Sequence, residues 1–433
     1  MNKLKKNEVY KVTILDVTHE GAGIAKIEGF PVFVNNALKD EVMDIHLIKV
    51  TSKYAIAKPI KIEKSSKDRV DPFCEVYKRC GGCDLQHMNY EAQLILKKQI
   101  VENNLRRIGG FKEIKVNEII KMDNPFAYRN KVQYPVENNR AGFYAKNSHD
   151  IIEHDECLVQ DEKVNEIMNY LKDKLDHNIR HVVFRIADEG IMLIFVSRTR
   201  TMGMDIESIT KKFSIIKTVI MNYNISEGNV VMGYENTTLF GKGTIEDSLL
   251  DLTFRISPNS FYQVNKIQTE KLYSKVIEFA GENKNQTIFD LYCGIGTISL
   301  CVAKHFKNVF GIETVEAAVN DANINKEMNH IENVTFICNR AEDEIENLYM
   351  NNIKADVVIV DPPRKGCDQK LLDTINKMKA EKVIYVSCDS ATLARDLKIL
   401  CESDYIIKEI VAVDMFPHTK HVETVVLMSR KDK

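Results

Sequence analysis

Thr287-Ile288-Phe289-Asp290-Leu291-Tyr292-Cys293-Gly294-Ile295-Gly296-Thr297 reads as a strand that runs into a glycine loop and opens a helix. Glycines there let the backbone approach a ligand closely at the helix N-terminus. A lone Gly-x-Gly is a weak sign. Two later strand ends strengthen it: one finishes in Glu313, another in Asp361-Pro362-Pro363-Arg364. Working outward, a helix over 266–280 precedes the quoted strand. Strands at 308–313, 333–337, 355–360, 382–387, 406–413 and 422–429 alternate with helical patterns after it. That rhythm predicts a doubly wound, Rossmann-like parallel α/β sheet, whose ligands bind beyond the carboxyl ends of its strands. The last two strands are joined only by Asp414–His421, so they are expected to form an antiparallel hairpin.

Upstream the texture differs. Residues 7–62 hold about five short strands with Gly and Asn turns, which suit an OB-like β-barrel. Such barrels often bind single-stranded nucleic acid. Residues 63–73 are a polar linker, and cysteines crowd 74–83. Residues 90–108 have helical periodicity, stopped by Gly109-Gly110. From about 115 to 255 strands and a helix at 160–175 indicate an α+β middle domain. The predicted boundaries are 1–62 for the barrel, 63–262 for the middle domain and 263–433 for the α/β domain. Helix 90–108 is expected to pack on the last of these.

The chain has 433 residues, 44% of them hydrophobic and 28% charged, an ordinary globular composition. Its net charge of −2 argues against a basic nucleic-acid binder. The average hides an asymmetry: residues 1–150 carry a net +7 and the rest a net −9. A positive front half suggests a place for a polyanion. No run reaches the ~18 apolar residues of a membrane span, and the basic start leads into no apolar signal core. A cytoplasmic protein is expected, and its ten cysteines are then not structural disulfides.

Cys388 follows the strand 382–387 and precedes a helix, whose N-terminus would favour a thiolate. Glu423 lies between apolar Val422 and Val425 in a strand that otherwise reads as core, a costly place for an idle carboxylate. A thiolate, a carboxylate base and a methyl donor at one edge suit methylation of an sp² carbon that is not itself nucleophilic, such as pyrimidine C5. The glycine spacing is not the full dinucleotide fingerprint, so NAD and S-adenosylmethionine both stand as cofactors at this point. Cys74-x5-Cys80-x2-Cys83 is a compact thiol set with a Gly81-Gly82 turn, and Cys157 follows at a distance. Four thiolates hold zinc or an iron–sulfur cluster, and spacing does not choose between them.

Together these motifs resemble the RNA (uracil-5-)-methyltransferase family, in particular its bacterial 23S rRNA branch, over essentially the whole chain. The Asp290 before the loop and the Asp-Pro-Pro strand end resemble class I methyltransferases, which implies S-adenosylmethionine. The barrel resembles the family's TRAM domain. The resemblance implies that Cys74, Cys80, Cys83 and Cys157 ligate a [4Fe–4S] cluster. It implies that Gln263, in Asn259-Ser260-Phe261-Tyr262-Gln263-Val264-Asn265, contacts S-adenosylmethionine together with Tyr292, Glu313 and Asp361. Cys388 becomes the nucleophile and Glu423 the base that removes the C5 proton. Tyr128-Arg129-Asn130-Lys131 resembles an RNA-facing element. The family often has Ser-Cys-Asn-Pro at the nucleophile; here it is Ser387-Cys388-Asp389-Ser390, which puts the local loop contacts in doubt.

The function implied is formation of 5-methyluridine in a loop or accessible single strand of 23S rRNA, by a monomer, through a covalent Cys–C6 adduct. A tRNA uridine methyltransferase is the alternative within the class. A non-enzymatic RNA-binding protein on the same fold is the alternative outside it, and a NAD-dependent oxidoreductase is a distant third.

Overall fold

The computed structural model describes residues 4–138, 140–226 and 228–432. Met1–Lys3 of the basic start and the final Lys433 lie outside them.

The N-terminal strands form a six-stranded closed barrel rather than a five-stranded one. The stretch 9–17 takes both edges of the sheet. Val9–Thr13 pairs with Val42–Val50, and Asp16–Val17 pairs with Gly23–Ile27, so the strand order closes on itself. Gly23 begins a strand that pairs with Phe30–Val34. Alternation drives the closure: Met43, Ile45 and Leu47 are buried inside, while Asp44 and His46 point away.

The linker is pinned to the barrel by a charge pair. Glu41 has no exposed surface, and Arg69 Nε donates to its Oε1 at 2.5 Å, while Arg69 Nη2 donates to Asn36 O at 2.7 Å. Glu41 Oε2 also accepts from Leu38 N at 2.8 Å.

The middle sheet runs Glu235–Phe240, Ile216–Tyr223, Gly190–Ser197, Ile179–Ala187, Lys131–Glu137, Arg140–Ala141. Gly190–Ser197 is buried at every position. Ile191, Leu193 and Phe195 face helix Glu162–Leu171, and Met192, Ile194 and Val196 join the core of the C-terminal domain. Both faces of the strand are covered, and the middle domain shares a core with its neighbour.

The C-terminal sheet has eight strands in the order Val334–Cys338, Phe306–Glu313, Asn283–Leu291, Val357–Val360, Lys382–Ser387, Glu423–Arg430, Tyr405–Val413, Glu118–Ile120. The first five are parallel. Glu423–Arg430 inserts antiparallel between Lys382–Ser387 and Tyr405–Val413. The order in which the chain adds strands reverses at Asn283–Leu291, so the switch point lies between that strand and Val357–Val360. Two pieces of the 63–262 stretch lie on this domain. Glu118–Ile120 pairs parallel with Tyr405–Val413, and Val101 and Leu105 of helix Tyr90–Arg107 enter the same core as Leu393 and Leu397. No helix among the described residues is long and apolar enough to cross a membrane.

Removing one partner of a buried pair leaves an uncompensated charge. Arg69→Ala should therefore loosen the barrel by about 2 kcal/mol, a figure discounted for the partial solvation of Arg69. Native-state hydrogen exchange of strand Val42–Val50 would read the loss, and unchanged protection there would remove the pair from this role.

Candidate active site

The strand Asn283–Leu291 ends under a tight turn. Tyr292 has φ +69°, Gly294 φ +56° and Gly296 φ +82°. A Cβ on Gly296 would meet the Phe336 ring at 2.5 Å, so only glycine fits there. A Cβ on Gly294 would meet nothing within 4 Å, because that side of the loop opens on the cleft. Asp290 is fully buried below the turn and accepts from Ser299 Oγ at 2.5 Å. Burial first, and Glu313 last, push its pKa up to about 6.

Glu313 ends the neighbouring strand and reaches back to the loop. It accepts from Gly294 N at 3.1 Å, Thr314 N at 2.7 Å and Val315 N at 2.9 Å. A carboxylate has about four lone-pair sites, so roughly one remains for a ligand hydroxyl. An acid at this strand end could accept from both hydroxyls of a ribose, and these bonds leave room for about one. Asp361 ends Val357–Val360 across the switch point, where burial and the Asp290 charge raise it to about 7. Gln263 is buried and lines the same cleft; its carbonyl accepts from Asn130 Nδ2 at 3.0 Å.

Antiparallel register brings the two reactive candidates together. Ser387 pairs with Thr424, so one step further along Cys388 stands opposite Glu423. Glu423 is 4% exposed, and its carboxyl has no hydrogen-bond partner among the described residues. Burial, then the Asp361 charge, raise it to about 8, and Arg364 opposes them.

Cys388 corrects an expectation. Its thiol is pushed up to about 11, by burial first and then by Glu423 and Asp361. The helix Ser390–Glu402 does not offset this, because Asp389 already caps it. Asp389 Oδ1 accepts from Ala391 N at 2.9 Å and Thr392 N at 3.1 Å, consuming the free amides and adding a negative charge. Resting Cys388 is therefore a thiol. The departure at Ser390 also has a physical reading. Ser390 is the first helical residue, and its Oγ accepts from Asn104 Nδ2 at 2.8 Å, a tie that proline could not make.

Cys74, Cys83 and Cys157 belong to one small cluster with Tyr77, Met122, Tyr128 and Val159. Cys80 stands beside them, its backbone bridged to Ala145. All four cysteines are free thiols. Burial lifts Cys83 to about 12 and Cys157 to about 11, and neighbouring cysteines add to both. Thiols that crowd one another have the chemistry of a thiophilic ligand set. Among the described residues, however, no group of three or more His, Cys, Asp or Glu side chains converges as a metal-holding site. The expected [4Fe–4S] centre thus has its donors on one side of the cleft and no closed ligand geometry.

All of these residues line one cleft of about 2200 Å³, from Cys74, Cys80, Cys83 and Cys157 through Gln263, Tyr292, Glu313 and Asp361 to Cys388 and Glu423. Sequence reading passed over Arg364, the exposed cation beside Cys388 and Glu423, although it quoted the strand end that carries it. The Tyr128–Lys131 segment serves more than one purpose. Tyr128 is buried and donates to Pro417 O at 3.0 Å. Lys131 lines the cleft, its pKa pushed down to about 7 by burial and by Arg185 and Arg129.

A five-parallel-strand sheet with a carboxylate-bearing glycine loop at its switch point and an antiparallel strand inserted near one edge defines an S-adenosylmethionine-dependent methyltransferase fold. Residues 89–431 match the tRNA (Uracil-5-)-methyltransferase family and residues 3–60 match the TRAM domain. The chain belongs to the tRNA (uracil-5-)-methyltransferase family, a family of S-adenosylmethionine-dependent RNA methyltransferases. It is 43% identical to an uncharacterized RNA methyltransferase of Staphylococcus aureus over 100% of both chains. It is also 43% identical to one of Clostridium acetobutylicum over 99% of both. A Pyrococcus abyssi tRNA (uracil-54, C5)-methyltransferase, solved with S-adenosyl-L-homocysteine, superposes with a TM-score of 0.79 at 29% identity, covering 97% of this chain and 100% of that one.

The raised carboxyls fix a pH dependence. Glu423, Asp361 and Asp290 titrate near 8, 7 and 6 when folded, and carboxyls ionise near pH 4 when unfolded. The folded chain binds more protons in between, so their contribution to stability is present below about pH 4 and is lost as pH rises towards 8. Ligand-free wild type should lose stability from about pH 5 to 9 more steeply than Glu423→Gln, by on the order of a few kcal/mol. Parallel thermal-unfolding curves would contradict a raised Glu423.

Proposed function

We propose that the protein methylates C5 of a uridine in 23S rRNA, with Cys388 as nucleophile and Glu423 as base. The observation that carries this reading is the thiol and the unpartnered, buried carboxyl facing each other across one strand register at the cofactor cleft. S-adenosylmethionine supplies an electrophilic methyl group on its sulfonium. Gln263, Tyr292, Glu313 and Asp361 hold it in this reading.

The chemistry balances on the chain's own groups. Cys388 gives up its proton to water in the cleft, and Arg364 is the nearby cation that favours the anion. Its Sγ bonds to C6 of the uracil, and electron density moves to C5 and O4. C5 then bonds to the methyl carbon as that carbon's bond to the sulfonium sulfur breaks, the electron pair leaving on the sulfur. The Glu423 carboxylate takes the C5 proton, the C5–C6 double bond reforms, and the bond from Sγ to C6 breaks. The base must leave its stack to reach Cys388. The barrel and the positive front half take the flanking RNA. The four cysteines hold a [4Fe–4S] cluster in this proposal; iron and acid-labile sulfide should copurify with the anaerobically prepared protein and be lost from Cys83→Ser.

A second reading, methylation of a tRNA uridine, is favoured by the likeness to the Pyrococcus abyssi tRNA enzyme. Mass-spectrometric mapping of 5-methyluridine in cells lacking the gene separates the two. Loss from 23S rRNA alone supports the first reading, and loss from tRNA replaces it with the second.

RNA containing 5-fluorouridine should trap a covalent adduct, because fluorine does not leave as a proton. Cys388→Ala should abolish the adduct; its persistence would move the nucleophile elsewhere. With ordinary RNA, Glu423→Gln should methylate and then stall as a protein–RNA adduct, whereas normal turnover would remove Glu423 from its role.

A further inference from the structure

Glu423 is the first residue after a nine-residue connection, 414–422, that closes a hairpin. Hairpin connections are commonly two to five residues, and longer ones are mobile unless held. This one is held at its start and its midpoint by a helix from the other end of the chain. Lys97 and Asp414 both have no exposed surface, and Lys97 Nζ donates to Asp414 Oδ1 at 2.5 Å and to Phe416 O at 2.9 Å. Tyr90 Oη donates to Asp414 Oδ2 at 2.7 Å. At the midpoint His418 N donates to Gln93 Oε1 at 3.0 Å, while Asp84 N and Leu85 N donate to His418 O at 3.0 and 2.9 Å.

Tyr90, Gln93 and Lys97 share one face of helix Tyr90–Arg107 at spacings of three and four residues. A fully dry ion pair adds little net stability, because desolvating both charges offsets their attraction. What it does supply is a fixed position. Asp414 directly follows Val413, and Val413 pairs with Glu423. The pair is therefore one residue from the backbone that sets the carboxyl.

We propose that Lys97, with Tyr90 and Gln93, positions Glu423 for removal of the C5 proton by clamping loop 414–422. This rests on the reading of Glu423 as the base. The three are positioning residues; none is placed against substrate. Misplacing a reacting group by about 1 Å can cost on the order of 100-fold in rate. Loosening the clamp should slow the step that uses Glu423 and leave the earlier attack by Cys388, whose loop is tied separately through Asn104 and Ser390.

The test uses the full chain, total RNA from cells lacking the gene, and S-adenosylmethionine labelled in its methyl group. Label in denaturant-resistant protein–RNA adduct is compared with label in released 5-methyluridine. Glu423→Gln sets the reference by accumulating adduct. Lys97→Met is expected to accumulate it too, with release slowed about tenfold or more and adduct formation within about threefold of wild type. The pair Lys97→Met/Asp414→Asn removes both charges and keeps the loop from carrying an orphan carboxylate; it should fold and stall in the same way. Gln93→Leu, which changes no charge, decides the matter if neither charge variant folds. Equal loss of formation and release, or release at the wild-type rate, overturns the clamp. If Glu423→Gln itself fails to accumulate adduct, the base reading falls, and the clamp falls with it.

Discussion

The antiparallel insertion of Glu423–Arg430 beside Lys382–Ser387 is the constraint on which the site depends. A parallel sheet presents the carboxyl ends of all its strands at one edge. An antiparallel neighbour adds the start of a strand to that same edge. Cys388 leaves one strand where Glu423 enters the next, and the Ser387–Thr424 register sets them face to face. A slip of Glu423–Arg430 by one residue would turn Glu423 to the opposite face, away from Cys388. The buried Val425, Val426 and Met428 make such a slip expensive, because they would exchange places between the two cores on either side of the sheet.

The same geometry explains the charge state of the site. Three carboxyls, Asp290, Asp361 and Glu423, stand at neighbouring strand ends with little water around them, and burial lifts each. The nearby Cys388 thiol feels Glu423 and Asp361 as well. A cysteine kept protonated at rest is protected from idle alkylation and oxidation, since the thiolate is the reactive form. The cation that offsets this, Arg364, is exposed on the Asp361-Pro362-Pro363-Arg364 strand end. Its effect will grow when a bound base displaces water, because the local dielectric then falls.

What could be read in the sequence was local. Gly294 and Gly296 announce a backbone path that only glycine takes, and the strand-end acids stand beside their own strands. The antiparallel pairing of the last two strands followed from the shortness of their connection. What could not be read depends on contacts far apart in the chain. Glu118–Ile120 is too short to have a pattern, and it pairs with residues 293 positions later. Gly190–Ser197 is buried on both faces, so its apolar run carries no sign of which core each residue enters. The Cys388 thiolate was misjudged for a nearer reason. Helix polarity was counted in its favour, but the Asp389 that follows Cys388 occupies the amides that would have supplied it.

Helix Tyr90–Arg107 shows why a linear division of this chain into domains is strained. Its sequence position places it with the cysteine segment, and Gln93 ties it there through Leu85 O and Met88 O. Its apolar residues Val101 and Leu105 lie in the methyltransferase core. Lys97 reaches the loop before Glu423, and Asn104 reaches the helix after Cys388. One rigid rod thus touches the supports of both reactive side chains and the segment that follows Cys83. The net +7 of the front half is therefore not the charge of a separate RNA module. Part of it, Lys97, is spent inside the catalytic domain, fully buried against Asp414. The charge left for phosphates is correspondingly smaller, so for an RNA bound as proposed the salt dependence would follow cations that line the cleft, such as Arg129 and Lys146, rather than the count over residues 1–150.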